Sequence, residues 1–326
     1  MDFAIIDIGG NLVGPTLGLR ALGHRVRYWT NGQDPSVRRI AAWLGAGDGP
    51  CLDAEVVVYA ASFGDEHDCR LRGLQGDEPW WPDRPLEASV NPRQAEVREA
   101  WLDRHLPGPD RLVLVDMGDA ACLAPAFTAR AGTRLKRELA SPPRDAAAPA
   151  EVSPFPFLYS PALLEVELAG QLHEVLLDPR ERGREPGALF AGTIDHWRYG
   201  GLRRRLLDEL ARARPALPVR VAGDLPLVEA WRALQRHRIG LSLPGRGELC
   251  FRHHELAALG VPALALRPFG IRVPPAYRRA FPLRIEELPG AEDMRWFYDR
   301  HYHPRRAAEA LLAAVGRRGV IPTGAR

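Results

Sequence analysis

Lysine is almost missing from this chain: Lys136 is the only one, and every other of its 44 strong cations is arginine. A GC-rich genome suffices to produce that bias, although the planar, forked guanidinium also suits carboxylate or phosphate partners. With 41 acids interleaved, the formal charge is only +3, too small to carry nucleic-acid binding by itself. Cysteine is scarce as well. Cys51, Cys69, Cys122 and Cys250 have neither C-x-x-C spacing nor the density of a disulfide scaffold, which points to a reducing compartment. No run approaches the roughly 20 apolar residues that a bilayer helix needs. The start, Met1-Asp2-Phe3-Ala4-Ile5-Ile6-Asp7, lacks a basic stretch and sets an acid inside its first apolar run, against a secretory signal peptide. These absences predict a cytoplasmic protein with no membrane span and no nucleic-acid partner.

Apolar residues make up 46% of the chain and charged residues 26%, a globular balance, and 326 residues suit two domains of about 150 each. The apolar run Phe3 to Ile8 has the length of a buried parallel strand. Gly9-Gly10 follows, then Leu12, Leu19 and Leu22 near helical spacing, Gly23 as a C-cap, and a second strand at Arg25–Thr30. Further strands are predicted at 55–60 and 111–116. Strands alternating with helices argue for a parallel sheet covered on both faces. A Pro, Ala, Asp and Arg-rich stretch from Ala140 to Ser153 reads as a loop near a domain boundary. Alternation then resumes with strands at 188–193, 219–222, 239–243 and 263–266 and helices at 202–214, 251–259 and 305–315. The predicted division is 1–160, 161–290 and a C-terminal segment, 291–326, that packs back toward the first domain, with Trp296, Phe297 and Tyr298 as packing.

Two glycine turns are candidates for binding an anion. Gly9-Gly10 after the first strand lets the backbone approach a ligand at a helix N-terminus. The spacing of Gly9, Gly10 and Gly14 is not G-x-G-x-x-G, and no acid ends the second strand, so a dinucleotide site is disfavoured. The alternative is that these glycines only pack a tight turn. The fuller constellation is Pro244-Gly245-Arg246-Gly247-Glu248 leading into a helix that carries Arg252 and Glu255 three apart on one face. In open α/β sheets ligands sit outside the carboxyl ends of the strands. Loop N–H groups with Arg246 and Arg252 suit a diphosphate there, and Glu248 or Glu255 would accept from sugar hydroxyls. The alternative is a capped helix with an Arg–Glu surface pair.

Glu255-Leu256-Ala257-Ala258-Leu259-Gly260-Val261-Pro262-Ala263 resembles the E-A-x-A-x-G-x-P-V signature of GT-B glycosyltransferases. The preceding P-x-G loop and Arg252 resemble exostosin-like and bacterial family-1-type members. Gly9-Gly10 with Leu22-Gly23-His24-Arg25-Val26 is similar to the G-G…G-H-x-V opening of the same group, Leu135–Leu139 and Pro154–Phe157 look like its landmarks near the end of the first domain, and Phe190-Ala191-Gly192-Thr193 resembles the first strand and turn of its donor domain. The resemblance implies a GT-B architecture: two Rossmann-like domains facing across a cleft, the first for the acceptor and the second for a nucleotide-sugar donor. It implies a glycosyltransferase that needs no metal and no cofactor beyond the nucleotide-sugar co-substrate, with Glu255 on donor hydroxyls. Gly192, Thr193 and Arg198 fall in the donor-domain turn, beside the run Arg203-Arg204-Arg205, of which one member is expected to turn inward. Many retaining enzymes of this fold set two glutamates one residue further apart than Glu248 and Glu255, so that pair's roles are not carried over.

An inverting transfer would also want a base on the acceptor hydroxyl. The candidates are Asp116 and Asp119, just past the strand at 111–116, and Asp65 or Glu66, past the strand at 55–60; Asp119 is preferred, with capping of the following helix as its alternative. Asp116-Met117-Gly118-Asp119 is not the D-x-D of metal-dependent transferases, His253 and His254 point to different helix faces, and no metal site is expected. A nucleotide-sugar 2-epimerase of the same layout is the alternative function, and a non-catalytic binder of anionic polymers the third.

Overall fold

The computed structural model describes residues 1–47, 49–63, 79–81, 84–85, 104–105, 107–119, 123–124, 127, 132–140, 152–194, 200–223, 225–243 and 248–316. The chain divides into two units, Met1–Phe157 with Pro304–Arg326, and Leu158–His303. Each is an α/β unit built on an all-parallel sheet.

In unit 1, β1 (Asp2–Asp7) is buried on both faces from Phe3 to Asp7, which is why it reads as an unbroken apolar run. Helix α1 (Val13–Ala21) follows and ends at Gly23, whose φ of 83° is open to glycine at little steric cost. Strand β2 (Arg25–Thr30) pairs with β1 in parallel register, and α2 (Pro35–Trp43) begins at Asp34, whose carboxylate accepts from the Ser36 and Val37 amides. β3 (Val56–Ala61) lies on the other side of β1, and a two-stranded ribbon pairs β4 (Pro79–Trp81) with β5 (Arg84–Pro85). β6 (Leu112–Asp116), β7 (Thr133–Lys136) and β8 (Val152–Pro154) complete a sheet of order β2-β1-β3-β6-β7-β8.

Unit 2 opens with α3 (Pro161–Leu168) and α4 (Leu172–Val175). It continues through β9 (Glu185–Ala191), α5 (Gly200–Ala213), β10 (Val219–Ala222), α6 (Leu227–Arg236), β11 (His237–Ser242), α7 (Phe251–Leu259) and β12 (Ala263–Ala265). Its sheet order is β10-β9-β11-β12, all parallel. Ala188, Phe190, Leu206, Leu241 and Leu264 form the core beneath it. Then come α8 (Pro275–Ala280), α9 (Ala291–Phe297) and a π-helical turn at Tyr298–Tyr302.

The chain returns to unit 1 through α10 (Pro304–Gly316), which packs on α1 where Gly18 leaves no room for a side chain: a Cβ there would stand 2.2 Å from the Pro304 carbonyl oxygen. The return thus starts at residue 304 and not at 291. Residues 291–303 stay with unit 2 because α9 packs on α7, Arg295 donating to the Ala258 carbonyl. Phe297 and Tyr298 are buried there, but Trp296 is 56% exposed, so only two of the three aromatics serve as packing.

Candidate active site

The order of the unit 2 sheet reverses between β9 and β11, and ligands of open parallel sheets bind outside the carboxyl ends of the strands at such a reversal. Arg252, in the first turn of α7, spans that point. One guanidinium nitrogen donates to the carbonyl of Ala191, the last residue of β9, and the other pairs with Glu255. The side chains are 16% and 5% exposed, so the shared helix face read from their spacing carries a half-sunk ion pair and not a solvated one. Next to Ala191, Gly192 directs its N–H to the Ala222 carbonyl, and Thr193 is exposed. Of the run Arg203-Arg204-Arg205, Arg203 turns inward: it donates to the Thr193 carbonyl and lies over the Phe190 ring at 5.2 Å. Glu248 accepts from the amides of Gly270 and Ile271 at 2.6 and 3.2 Å, which ties its carboxylate to the loop after β12. Asp65, Glu66, Arg198, Gly245, Arg246 and Gly247 lie outside the described residues.

His253 and Cys250 are site neighbours that the spacing did not single out. His253 Nδ1 accepts from the Cys250 amide, and its Nε2 lies 3.0 Å from Ser242 Oγ at the end of β11. Burial pushes the Cys250 thiol up, but His253 and Arg252 beside it outweigh this and hold it below the usual thiol range. His254 faces the other way: its Nδ1 accepts from the Ser160 amide, and burial drives its pKa down to about 3, so it is a neutral packing group among Tyr159, Tyr298 and Tyr302. Among the described residues no three His, Cys, Asp or Glu side chains converge as metal ligands.

In unit 1 the Gly9-Gly10 turn has its donors occupied from within. The Gly9 amide donates to Asn31 Oδ1, and Asp7, fully buried, accepts from the Asn11 and Leu12 amides at 2.9 and 2.6 Å. The Asp7 carboxylate is itself the anion at the N-terminus of α1, which corrects the expectation that Gly9 and Gly10 offer their amides to a donor phosphate. Gly10 is small for packing, since a Cβ would come within 2.4 Å of Val37. Asp116 is likewise removed from the candidate bases by full burial: Oδ2 takes the Lys136 ammonium at 2.7 Å and Oδ1 the Gly118 amide at 3.0 Å. Asp119 is paired with Arg137 and keeps 36% of its side chain exposed.

The fold and these residues define an α/β protein of two parallel-sheet units with a guanidinium–carboxylate pair at the carboxyl end of the second sheet. No family model and no curated protein matches the chain. Among solved structures it is similar to UDP-GlcNAc 2-epimerase from Neisseria meningitidis bound to UDP-GlcNAc, with 9% identity, 97% of this chain and 100% of that one covered and a TM-score of 0.33. It is similar to Acinetobacter baumannii MurG (12% identity, 98% and 92% covered, TM-score 0.33). The spinosyn rhamnosyltransferase SpnG complexed with thymidine diphosphate is at the same distance (12% identity, 97% and 92% covered, TM-score 0.34). At such identities these likenesses assign no activity.

Proposed function

We propose that the chain is a metal-independent glycosyltransferase in which unit 2 binds a nucleotide-sugar and unit 1 takes the acceptor. The observation that carries this reading is Arg252 bridging the ends of β9 and α7 at the reversal of the strand order. A guanidinium fixed there by Glu255 would stabilise the charge that grows on a departing diphosphate, because its orientation is set before the reaction begins. Glu255, held beside it, would accept from a ribose or sugar hydroxyl, and the exposed Thr193 lies in the turn after β9. For unit 1 we propose Asp119 as the base on the acceptor hydroxyl, with Arg137 orienting the carboxylate.

Calorimetric titration with UDP, GDP and dTDP tests the donor half. Arg252→Ala is expected to weaken the preferred diphosphate by about 1–3 kcal/mol, the scale of hydrogen bonds to a charged group. Equal affinity in parent and variant, both confirmed folded by circular dichroism, overturns the assignment. Incubating the preferred nucleotide-sugar without acceptor tests the reaction: the sugar is expected to keep its configuration, and a new isomer in the proton spectrum would make the protein an epimerase instead.

A further inference from the structure

We infer that unit 2 carries a second ligand site, at the edge of its sheet opposite Arg252, that takes an anion borne on a planar ring. A cavity of about 720 Å³ opens there, within the range of about 300–1,000 Å³ found for small-molecule sites. Its lining comes from residues that precede the strands: Arg182 ahead of β9, Arg238 at the start of β11 and Pro262 ahead of β12, with Arg295 and Trp296 added by α9. Strands of a parallel sheet all begin at one edge, so these residues gather at the amino edge. Ala191, Ser242 and Arg252 follow the strands and belong to the other edge. The two sites are therefore separate.

Three arginines face this cavity, and among the described residues none has a carboxylate within 4.0 Å. Arg182 donates Nε to the Leu177 carbonyl and Nη1 to that of Leu259. Arg295 donates to the Ala258 carbonyl and lies over the Tyr298 ring at 5.6 Å. The backbone thus holds both guanidiniums in place; Arg295 also acts electrostatically on the Glu167 carboxylate, which accepts from the Tyr298 hydroxyl, whereas Arg182 is held by carbonyls. Burial, together with the charge of Arg295, holds Arg182 below the usual arginine range, so the two cations strain against each other. An anion between them relieves that repulsion and uses a geometry already fixed. Glu292 and Asp299 also line the cavity but are outnumbered by the arginines. Trp296 supplies the second half of the recognition. It is 56% exposed beside the arginines, touching His301 edge-on at 5.2 Å, which leaves an indole face as a stacking platform for a ring. Exposed tryptophan costs free energy in water, and its position on the rim of a cationic cavity gives it a partner.

Calorimetric titration of the full chain with phenyl phosphate, benzoate and inorganic phosphate tests the site. Saturable binding of a ring-bearing anion is expected, with inorganic phosphate weaker by about tenfold for want of stacking; the tighter of phenyl phosphate and benzoate identifies the anionic group. Trp296→Ala and Arg238→Ala, both at exposed positions, are each expected to lower the affinity about fivefold with an unchanged melting temperature. Arg252→Ala, at the other edge, is expected to leave it intact. The proposal is overturned if neither ring probe saturates, if inorganic phosphate binds as tightly as both, or if Trp296→Ala and Arg238→Ala bind like the parent. Loss of binding in Arg252→Ala alone would also overturn it, by moving the probe to the donor site.

Discussion

Lys136 is the chain's one side-chain amine, and it is fully buried against Asp116, with 2.7 Å between Nζ and Oδ2. The two residues are register partners on β6 and β7, so the sheet itself holds them side by side. Removing two charges from water costs several kcal/mol each, and only their mutual attraction and the added hydrogen bonds offset it. Lys136→Met fills much the same volume but leaves the Asp116 carboxylate buried without the ammonium that balances its charge, the Gly118 amide still donating to Oδ1 at 3.0 Å. Breaking a buried pair from one side costs about 3–5 kcal/mol. We expect that loss in equilibrium guanidinium unfolding followed by circular dichroism. The double variant Asp116→Asn with Lys136→Met leaves no lone charge and is expected to be more stable than Lys136→Met alone. A second readout needs no variant: an amine-acylating reagent should spare Lys136 in the folded protein and modify it only as the chain opens. The reasoning is refuted if Lys136→Met lies within about 1 kcal/mol of the parent, the range of exposed ion pairs, or if Lys136 is acylated as fast as a free amine.

Two further outcomes are expected in unit 1. Burial pushes the Asp7 carboxyl from 3.8 up to about 6, against hydrogen bonds from Leu12, Tyr28 and Asn11 that pull it down. The folded state therefore keeps its proton to higher pH than the unfolded chain, and stability from this group falls as pH rises from about 4 to about 6. Asp7→Asn should remove that part of the slope in melting temperature against pH, and an unchanged slope would contradict the assignment. Gly18→Ala drives a methyl into the Pro304 backbone, which a side-chain rotation cannot relieve. A loss of about 1–3 kcal/mol, the cost of overpacking, is expected in thermal unfolding, and a stabilised variant would refute the tight crossing of α1 and α10.

Elements that bury both faces were legible in the sequence. β1, β3 and β6 are continuous apolar runs because nothing polar survives on either face of a covered parallel strand. β7 escaped the same reading: its sequence is Thr-Arg-Leu-Lys, and its cations look solvated until Asp116 is brought beside Lys136. Arg252 and Glu255 could be placed on one face by their spacing, since that is a property of one helix. The role of Glu248 was not legible, because the Gly270 and Ile271 amides that hold it lie more than twenty residues away along the chain. Asp7 belongs to the same kind: read along the chain it is the acid closing an apolar strand, and only the turn after Gly10 aims amides at it.

The sequence by itself determined the alternation of strands and helices, the glycine that ends α1 and the helix that carries Arg252. These follow from local backbone preference and from the periodicity of burial, both of which act over a few residues. Tertiary structure alone decided which charges are consumed inside the protein and which stand at a strand end or line a cavity. It buried Asp7 and Asp116 with their partners, set Arg252 across the end of β9, and brought Arg182, Arg238 and Arg295 to one cavity. The physical reason is that a charge takes its role from what surrounds it in space, and those surroundings come from segments far apart in the chain.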